Sequence, residues 1–287
     1  MAKEKMLKLK VQSFYDVQQM RMSAGNRHTK INATINLDEG DMEFFKMLSK
    51  NLEEMEKYCG KEVERVVEEH PLWKKWLCTV RGCGTQMAGV LISAIDIHRG
   101  STVSKIWSVC GLGKERKFLV KYRERKEGTK KWGKDLEKTV YATSPESAKN
   151  VIPRPRSDEK KVEREFIEIA PVDGVFERQQ LRSGQYPTYN QFLKTKVVGV
   201  LADCFMRSKN SYTTFYYNYK SRFENEMGDG KRFKKPMHLH LASRRYMMKM
   251  FLIDLYKNWR AIEGLEVRPP YQEEYLGHKH QEENKSS

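Results

Sequence analysis

The chain has 287 residues, of which 39% are hydrophobic and 32% charged, so it can bury the core of one large or two small domains and is not a disordered chain. Lys and Arg number 54 against 38 Asp and Glu, a net charge of +16 that is spread over most of the sequence and indicates a polyanionic partner. The N-terminus lacks an apolar signal segment, and the longest small and apolar run, Ala88 to Ile95, is far shorter than the roughly 18 to 20 residues of a membrane span. We therefore expect a cytoplasmic, nucleoid-associated protein with no membrane partner.

The cysteines are odd in number, and none belongs to a CxxC pair. They are Cys59, Cys78, Cys83, Cys110 and Cys204. Without a secretion signal, such a set is typical of free and mostly buried thiols. His238 and His240 alternate and would diverge on a helix. We therefore predict no metal site, and Mg²⁺ as a cofactor only if the chain is catalytic.

Residues 1–70 form the first predicted region, which is helical. Apolar residues repeat at intervals of three and four in its second half. These are Phe45, Leu48, Leu52, Met55, Cys59 and Val66. Acidic Asp38, Glu39 and Asp41 lie where a helix N-terminus favours negative charge. The apolar stripe indicates either a coiled coil that forms a homodimer or an amphipathic helix packed on its own domain.

Residues 71–113 are predicted to form a compact helical unit. In "LCTVRGCGTQMAGVLISAI", residues 77–95, a short helix is followed by Gly82 and Gly84 and then by a second helix from about Thr85 to His98. This layout is that of a helix-hairpin-helix. A third helix follows in "VSKIWSVCGL", with Ser101 or Thr102 as its cap.

The glycine turn is a candidate phosphate-binding site. Glycine permits positive φ and leaves backbone N–H groups accessible, and the next helix begins with unpaired donors and a positive dipole end. Phosphate fits such a turn. The candidate residues are Arg81, Gly82, Gly84, Thr85 and Gln86. Alternatively, this is an ordinary helical turn whose glycines serve only its shape. Because backbone donors do not read bases, binding here would be sequence-independent and salt-sensitive.

Residues 114–187 are predicted to be a charged insertion. The stretch 114–138 contains eleven basic and five acidic residues. Two segments, "KFLVKY" and "VEREFIEI", are rich in apolar residues without alternating cleanly, and allow short strands in a small β-hairpin. We expect the insertion to be exposed.

Residues 188–264 are predicted to be helical again, with a long helix from about Met237 to Ile262 that ends at Gly264. Residues 265–287 read as an extended tail. Basic side chains on these helices are candidate contacts to a nucleic-acid backbone, or else belong to a solvated face. They are Lys194, Lys196, Arg244, Arg245 and Lys249. The fold class predicted for the whole chain is mainly α.

The stretch "TVRGCGTQMAGVLISAIDIHRGSTVSKIWSVCGLG" resembles the C-terminal domain of the DEDD-type insertion-sequence transposases, the bridge-RNA-guided recombinases. In that family a helix-hairpin-helix precedes a short helix ending in an "aGL" motif, here Cys110, Gly111 and Leu112. The resemblance covers roughly residues 72–113 and 183–263. The family's N-terminal carboxylate nuclease domain is not visible, since only about 70 residues, read as helix, precede the hairpin.

The resemblance also implies a serine nucleophile in a Ser-Gly context. The nearest candidate is Ser183 in "LRSGQYPTYN", with Arg178 and Arg182 as local cations. It lies some 70 residues beyond Leu112, and the glycine-rich stretch usual in the family is shortened here. A serine in a polar loop is the other interpretation.

Three hypotheses follow for function. The first is a DNA-binding protein of transposition or recombination that binds the DNA backbone through the helix-hairpin-helix. In this hypothesis the chain is a transposase subunit that uses Ser183, and a separate nuclease chain supplies the carboxylates. The second is a catalytically inactive DNA- or RNA-binding accessory protein derived from such a transposase. The third is an interaction protein assembled through the Phe45 to Val66 stripe. The partners expected are DNA, a guide or structured RNA, and a second copy of the chain.

Overall fold

A computed structural model describes residues 2–32, 34, 38–126, 128–153 and 162–269. The helices are α1 (Ala2–Asn32), α2 (Glu39–Glu68), α3 (Pro71–Lys75), α4 (Thr85–Ala94), α5 (Val103–Val109), α6 (Pro145–Asn150), α7 (Gln191–Lys194), α8 (Ala202–Ser208), α9 (Thr213–Arg222) and α10 (Pro236–Ile262). Short 3-10 turns span Leu77–Thr79 and Glu224–Glu226, and a π-helical segment, Thr195–Leu201, joins α7 to α8. The strands are β1 (Lys114–Lys126), β2 (Leu136–Ala142) and β3 (Val162–Arg178).

The predicted mainly α fold is wrong, because the chain also contains a substantial antiparallel sheet. Its order is β2-β1-β3, and β1 pairs with β3 on both sides of a register shift between Arg116 and Phe118. The strands have 13, 7 and 17 residues, far more than a small hairpin. The sequence indicated short strands in "KFLVKY" and "VEREFIEI" but neither their length nor β2, because Glu115 at a buried position and Leu119 between the buried Phe118 and Val120 interrupt the alternation.

The sheet has its own hydrophobic core. One face packs against α6, with Phe118, Val120 and Val140 buried. On the other face, ion pairs connect β1 to β3: Lys121 with Glu168, Arg123 with Glu165 and Arg125 with Glu163. These pairs leave little net positive charge on that face, although the segment is strongly basic in sequence.

Helices α1 and α2 form an antiparallel hairpin within one chain. Asp38 caps α2 by accepting from the Asp41 N–H at 2.7 Å, as the acidic residues there predict. Gly89 of α4 lets the hairpin approach closely, since a Cβ there would lie 2.8 Å from Val63 Cγ1. Within this single chain, Leu52 of the predicted stripe is buried, whereas Met55 is 54% exposed. Homodimerisation through the stripe stays a prediction.

The helical core is centred on α10. Met247, Phe251 and Leu255 are buried there. Arg260 donates to the carbonyls of Ile97 and Gly100 at 3.0 and 3.3 Å, which ties the end of α10 to the loop after α4. The helix ends at Ile262 and Gly264 has a φ of +68°, so the predicted end of α10 is confirmed. Of the predicted tail, residues 270–287 lie outside the described residues. No described helix combines the length and the apolar composition needed to span a bilayer.

Two buried polar residues join the sheet to the helical core. The Gln179 side chain accepts from the Gly113 N–H at 2.8 Å and donates to Ser108 Oγ and Thr188 Oγ1 at 3.2 and 3.1 Å. Glu115 of β1 has a fully buried carboxylate that accepts from Arg182 and from Thr188. These bonds fix where β1 begins and where β3 ends relative to α5 and α7.

We predict that Arg182→Met destabilises the protein by about 3–5 kcal/mol, because it leaves the Glu115 carboxylate buried without a cation. The free energy of unfolding in urea measures the loss. Arg27→Met on α1 is the matched control: the residue is exposed and without an ion pair among the described residues, so its effect should stay within about 0.5 kcal/mol. Equal losses in both variants would contradict a junction held by the Glu115 pair.

Candidate nucleic-acid interface

The segments on either side of the glycine turn are helical: α3 and the 3-10 turn precede Gly82 to Gly84, and α4 follows, while the helix-hairpin-helix itself stays a prediction. Pro71 opens α3, and His70 Nδ1 caps it by accepting from the Leu72 N–H at 3.2 Å. Gly82 has a φ of +88°, which glycine adopts without strain. Gly84 is the extended N-cap of α4, and no side chain caps that helix. The predicted helix therefore begins at Thr85 as expected and ends at Ala94, four residues earlier than expected.

The Gly82 side of the turn faces the protein's own interior. A Cβ on Gly82 would lie 2.6 Å from Ser208 Oγ and 3.0 Å from the Cys204 carbonyl oxygen. The Arg81 carbonyl accepts from Asn210 Nδ2. The close approach that Gly82 permits is therefore made by the end of α8 and not left open for a ligand.

The Gly84 side of the turn faces outward. Gly84 and Arg81 are exposed, and Thr85 is partly exposed. Arg207 and Lys209, which flank the contact with α8, are also exposed. Among the described residues, none of these three cations forms an ion pair. The uncapped start of α4 and these cations define what we call the corner surface: Arg81, Gly84, Thr85, Arg207 and Lys209.

The Gln86 side chain lies between the corner surface and α2, with its Oε1 accepting from Thr85 Oγ1 at 3.3 Å and lying 3.8 Å from where a Cβ on Gly84 would be. Its Nε2 would lie 3.6 Å from a Cβ on Gly60 of α2, at a cleft in which acidic and basic side chains balance. The cleft is lined by Phe14, Arg21, Glu53, Glu56, Lys57, Gly60, Lys61, Glu64 and Gln86. The Gln86 side chain therefore contacts both the corner surface and this cleft.

Two of the predicted helix-face cations are engaged inside the protein. Lys196 Nζ lies 3.5 Å from the ring centroid of Tyr15. Arg244 donates to the carbonyls of Val198 and Gly199 in the π-helical segment at 2.8 and 2.7 Å, and pairs with Asp203. Arg244 thus stabilises the irregular helix that carries Lys196.

The other three predicted cations, Lys194, Arg245 and Lys249, come together although α7 and α10 are far apart in sequence. Burial is the main reason why the pKa of Lys249 is lowered to about 8, and the positive charges of Lys114 and Arg245 lower it further. Burial also lowers the pKa of Lys194, and the charges of Arg178 and Arg245 add to the effect. The pKa of Arg245 is lowered by burial and by the charge of Arg178. The structure therefore concentrates positive charge here and adds Lys114 and Arg178 to it.

Ser183 lies in the turn between β3 and α7 and is exposed. Arg182 is engaged with Glu115 and Glu177, so it is not available to a phosphate at Ser183. Lys138 Nζ donates to the adjacent Gly184 carbonyl at 2.7 Å. Within the described part of the chain, no histidine or carboxylate is hydrogen-bonded to Ser183, and no group of three or more metal-ligating residues occurs.

Sequence reasoning missed Arg207 and Lys209 as parts of the corner surface. Both follow the apolar stripe of α8 and had no visible relation to Gly84. Asn210 places them there by bonding the Arg81 carbonyl, a contact across 129 residues. A signal was nonetheless present, because an asparagine after a helix favours a turn.

Comparison of the chain with protein-family models, with curated proteins and with solved structures finds no significant match. The resemblance to the transposase domain therefore stays a prediction.

We predict that the two glycines of the turn respond differently to alanine. Gly82→Ala should destabilise by roughly 2–4 kcal/mol, because it combines a positive φ with a clash against α8. Gly84→Ala is the control: its φ is −77° and the nearest atom to a Cβ lies at 3.8 Å, so the change should stay within about 0.5 kcal/mol. Chemical unfolding of both variants measures the difference. Equal stability of the two would exclude the packing of Gly82 on α8.

We also predict that Lys249→Met stabilises the protein at pH 7, on the order of 1–3 kcal/mol, since it removes a desolvated and repelled charge. The folded pKa of about 8 lies below the usual 10.5, so the unfolded chain binds more protons between these values and wild-type stability rises with pH across that window. The advantage of the variant should therefore shrink from pH 8 to pH 10 in thermal unfolding. Lys257→Met, an exposed site on the same helix, is the control. A variant less stable than wild type at pH 7 would contradict the repulsion.

Proposed function

We propose that this protein binds the phosphate backbone of double-stranded DNA without reading its sequence, and that the corner surface makes the contact. The observation that carries the proposal is the uncapped, outward-facing start of α4 beside the unpaired cations Arg81, Arg207 and Lys209. Backbone N–H donors with adjacent basic side chains are the arrangement that a phosphodiester oxygen favours.

The charge distribution supports this surface over the sheet as the DNA contact. The basic residues on the outer face of β1 are paired with glutamates of β3, so they attract a polyanion weakly. The three corner cations are not neutralised in this way by any described residue. Their potential adds to that of a chain with a net charge of +16.

By resemblance to the transposase domain, the process would be DNA transposition or recombination. Of the two versions of that function, the surroundings of Ser183 favour the accessory protein that binds without chemistry of its own. Arg182 is committed to Glu115, and the described residues offer Ser183 no hydrogen-bonded base. A nucleophilic serine requires such a base. The same proposal places the protein at the nucleoid, with a guide RNA and a separate nuclease chain as partners.

The test is the affinity for a fluorescently labelled 20-base-pair duplex, measured by anisotropy at several salt concentrations. Arg81→Glu and Lys209→Glu should each weaken binding at least tenfold at low salt and lower the slope of log K against log salt by about 1. Lys50→Glu on α2 carries the same charge change at an exposed site without an ion pair among the described residues, and should retain most of the affinity.

Equal losses in the corner variants and in Lys50→Glu would mean that general charge, and not the corner surface, governs binding. Undetectable wild-type binding would remove the proposal. An RNA duplex of the same sequence, measured in parallel, decides between DNA and RNA. Incubation with supercoiled plasmid and Mg²⁺ tests for nicking, with Ser183→Ala as the control. Nicking by the wild type that is absent in the variant would support the hypothesis of a transposase subunit.

A further inference from the structure

Five basic side chains meet where the sheet joins the helical core. Lys114 begins β1 and Arg178 ends β3, and these two residues are direct cross-strand partners. Lys194 comes from α7, and Arg245 and Lys249 come from α10. We call this set the junction cluster. Like charges placed directly opposite in a sheet destabilise it, so the pairing of Lys114 with Arg178 is unfavourable without an anion.

The cluster is built without carboxylates. None of its five members forms an ion pair with a described residue. The nearest acid to affect Lys194 is Glu115, whose carboxylate is already engaged by Arg182 and Thr188. The positive charge of the cluster is therefore not neutralised by this part of the chain.

Two of the cations, Lys194 and Lys249, lie against aromatic rings, and Lys194 also donates to a backbone carbonyl. Lys249 Nζ lies 4.6 Å from the ring centroid of Trp107, and the Trp107 indole N–H donates to the Lys249 carbonyl at 3.3 Å. Lys194 Nζ lies 4.2 Å from the ring centroid of Tyr189 and donates to the Gln179 carbonyl at 3.0 Å. Such contacts position an ammonium group and leave its charge intact.

Gly111 makes room for this arrangement. It has a φ of +67°, and a Cβ there would lie 2.6 Å from Lys194 Cδ and 2.8 Å from Tyr189 Cδ2. The glycine of the "CGL" motif thus permits the lysine and its ring to pack beneath the end of α5. Lys194 and Lys249 are therefore held in place by packing, whereas Lys114 and Arg178 of the cluster are exposed.

We propose that the junction cluster is a binding site for a compact phosphate group that carries two or more negative charges, such as a diphosphate or a terminal phosphate monoester. Five cations from four elements converge on one place, whereas backbone phosphodiesters carry one charge each and are spaced along a strand. Arg245 and Arg178 supply planar forks that match phosphate oxygens, and the three lysines supply point charges. The site is distinct from the corner surface and does not depend on the proposed function.

The protonation of Lys249 reinforces the site. Burial lowers the pKa of Lys249, the charges of Lys114 of β1 and Arg245 of its own helix lower it further, and Trp107 of α5 lies against its ammonium group. An anion offsets this repulsion, so binding favours the charged amine. For a ligand of constant charge, affinity should therefore fall as the pH rises from 7 to 9.

The experiment is calorimetric titration of the full chain with sodium pyrophosphate, without metal and with NaCl adjusted to constant ionic strength. Wild-type protein should bind saturably, and binding should weaken at least tenfold in Lys249→Met and in Arg245→Met. Lys114→Gln changes an exposed position, so it should leave folding unchanged and weaken binding several-fold. Lys257→Met on α10 is the control and should bind like wild type.

Two duplexes that differ only in a 5′-phosphate or a 5′-hydroxyl identify the source of the phosphate. A phosphate-dependent gain in affinity that Lys249→Met abolishes assigns the site to a nucleic-acid end, and pyrophosphate binding without such a gain assigns it to a free phosphorylated ligand. Absence of saturable pyrophosphate binding, or an equal loss in Lys257→Met, overturns the proposal. Arg81→Glu should bind pyrophosphate normally, so failure at the corner surface is separable from failure here.

Discussion

The structure depends on one buried polar junction, in which Glu115, Arg182 and Gln179 join an antiparallel sheet to a helical core. A carboxylate that is fully removed from water requires a cation and hydrogen bonds, and Arg182 and Thr188 provide them. Gln179 satisfies its side-chain amide through three partners at the same place. Because these bonds have strict geometry, they fix the ends of β1 and β3, and with them Lys114 and Arg178. The sheet thus contributes two cations to a site whose other members are helical.

The glycine turn illustrates how one motif serves packing and binding on opposite sides. Gly82 is required for contact with α8, whereas Gly84 is the exposed residue at which α4 begins without a side-chain cap. Replacing both glycines together would mix loss of fold with loss of binding. The charge variants Arg81→Glu and Lys209→Glu separate the two roles, because neither side chain packs against the interior.

Basic residues in this chain have several different environments. On the sheet they are paired with glutamates, Arg244 of α10 is bonded to carbonyls of the π-helical segment, at the corner surface they are exposed, and in the junction cluster Lys194 and Lys249 rest on aromatic rings. Net charge alone cannot distinguish these cases. Only the last one leaves a concentrated positive potential, at the cost of mutual repulsion that lowers the pKa of Lys194, Arg245 and Lys249. Concentrated and positioned charge of this kind favours an anion more strongly than the same charge spread over a surface.

The sequence by itself determined the features that depend on neighbouring residues: the start of α4 after Gly84, the cap at Asp38 and the end of α10 near Gly264. It also singled out Lys194, Arg245 and Lys249. The tertiary structure alone decided that these three meet Lys114 and Arg178, that Arg244 is structural, and that a sheet replaces the expected small hairpin. Local hydrogen bonding and helical periodicity are encoded within a few residues. Strand pairing, ion pairing and the meeting of distant cations depend on contacts across tens to more than a hundred residues, which a single sequence does not reveal.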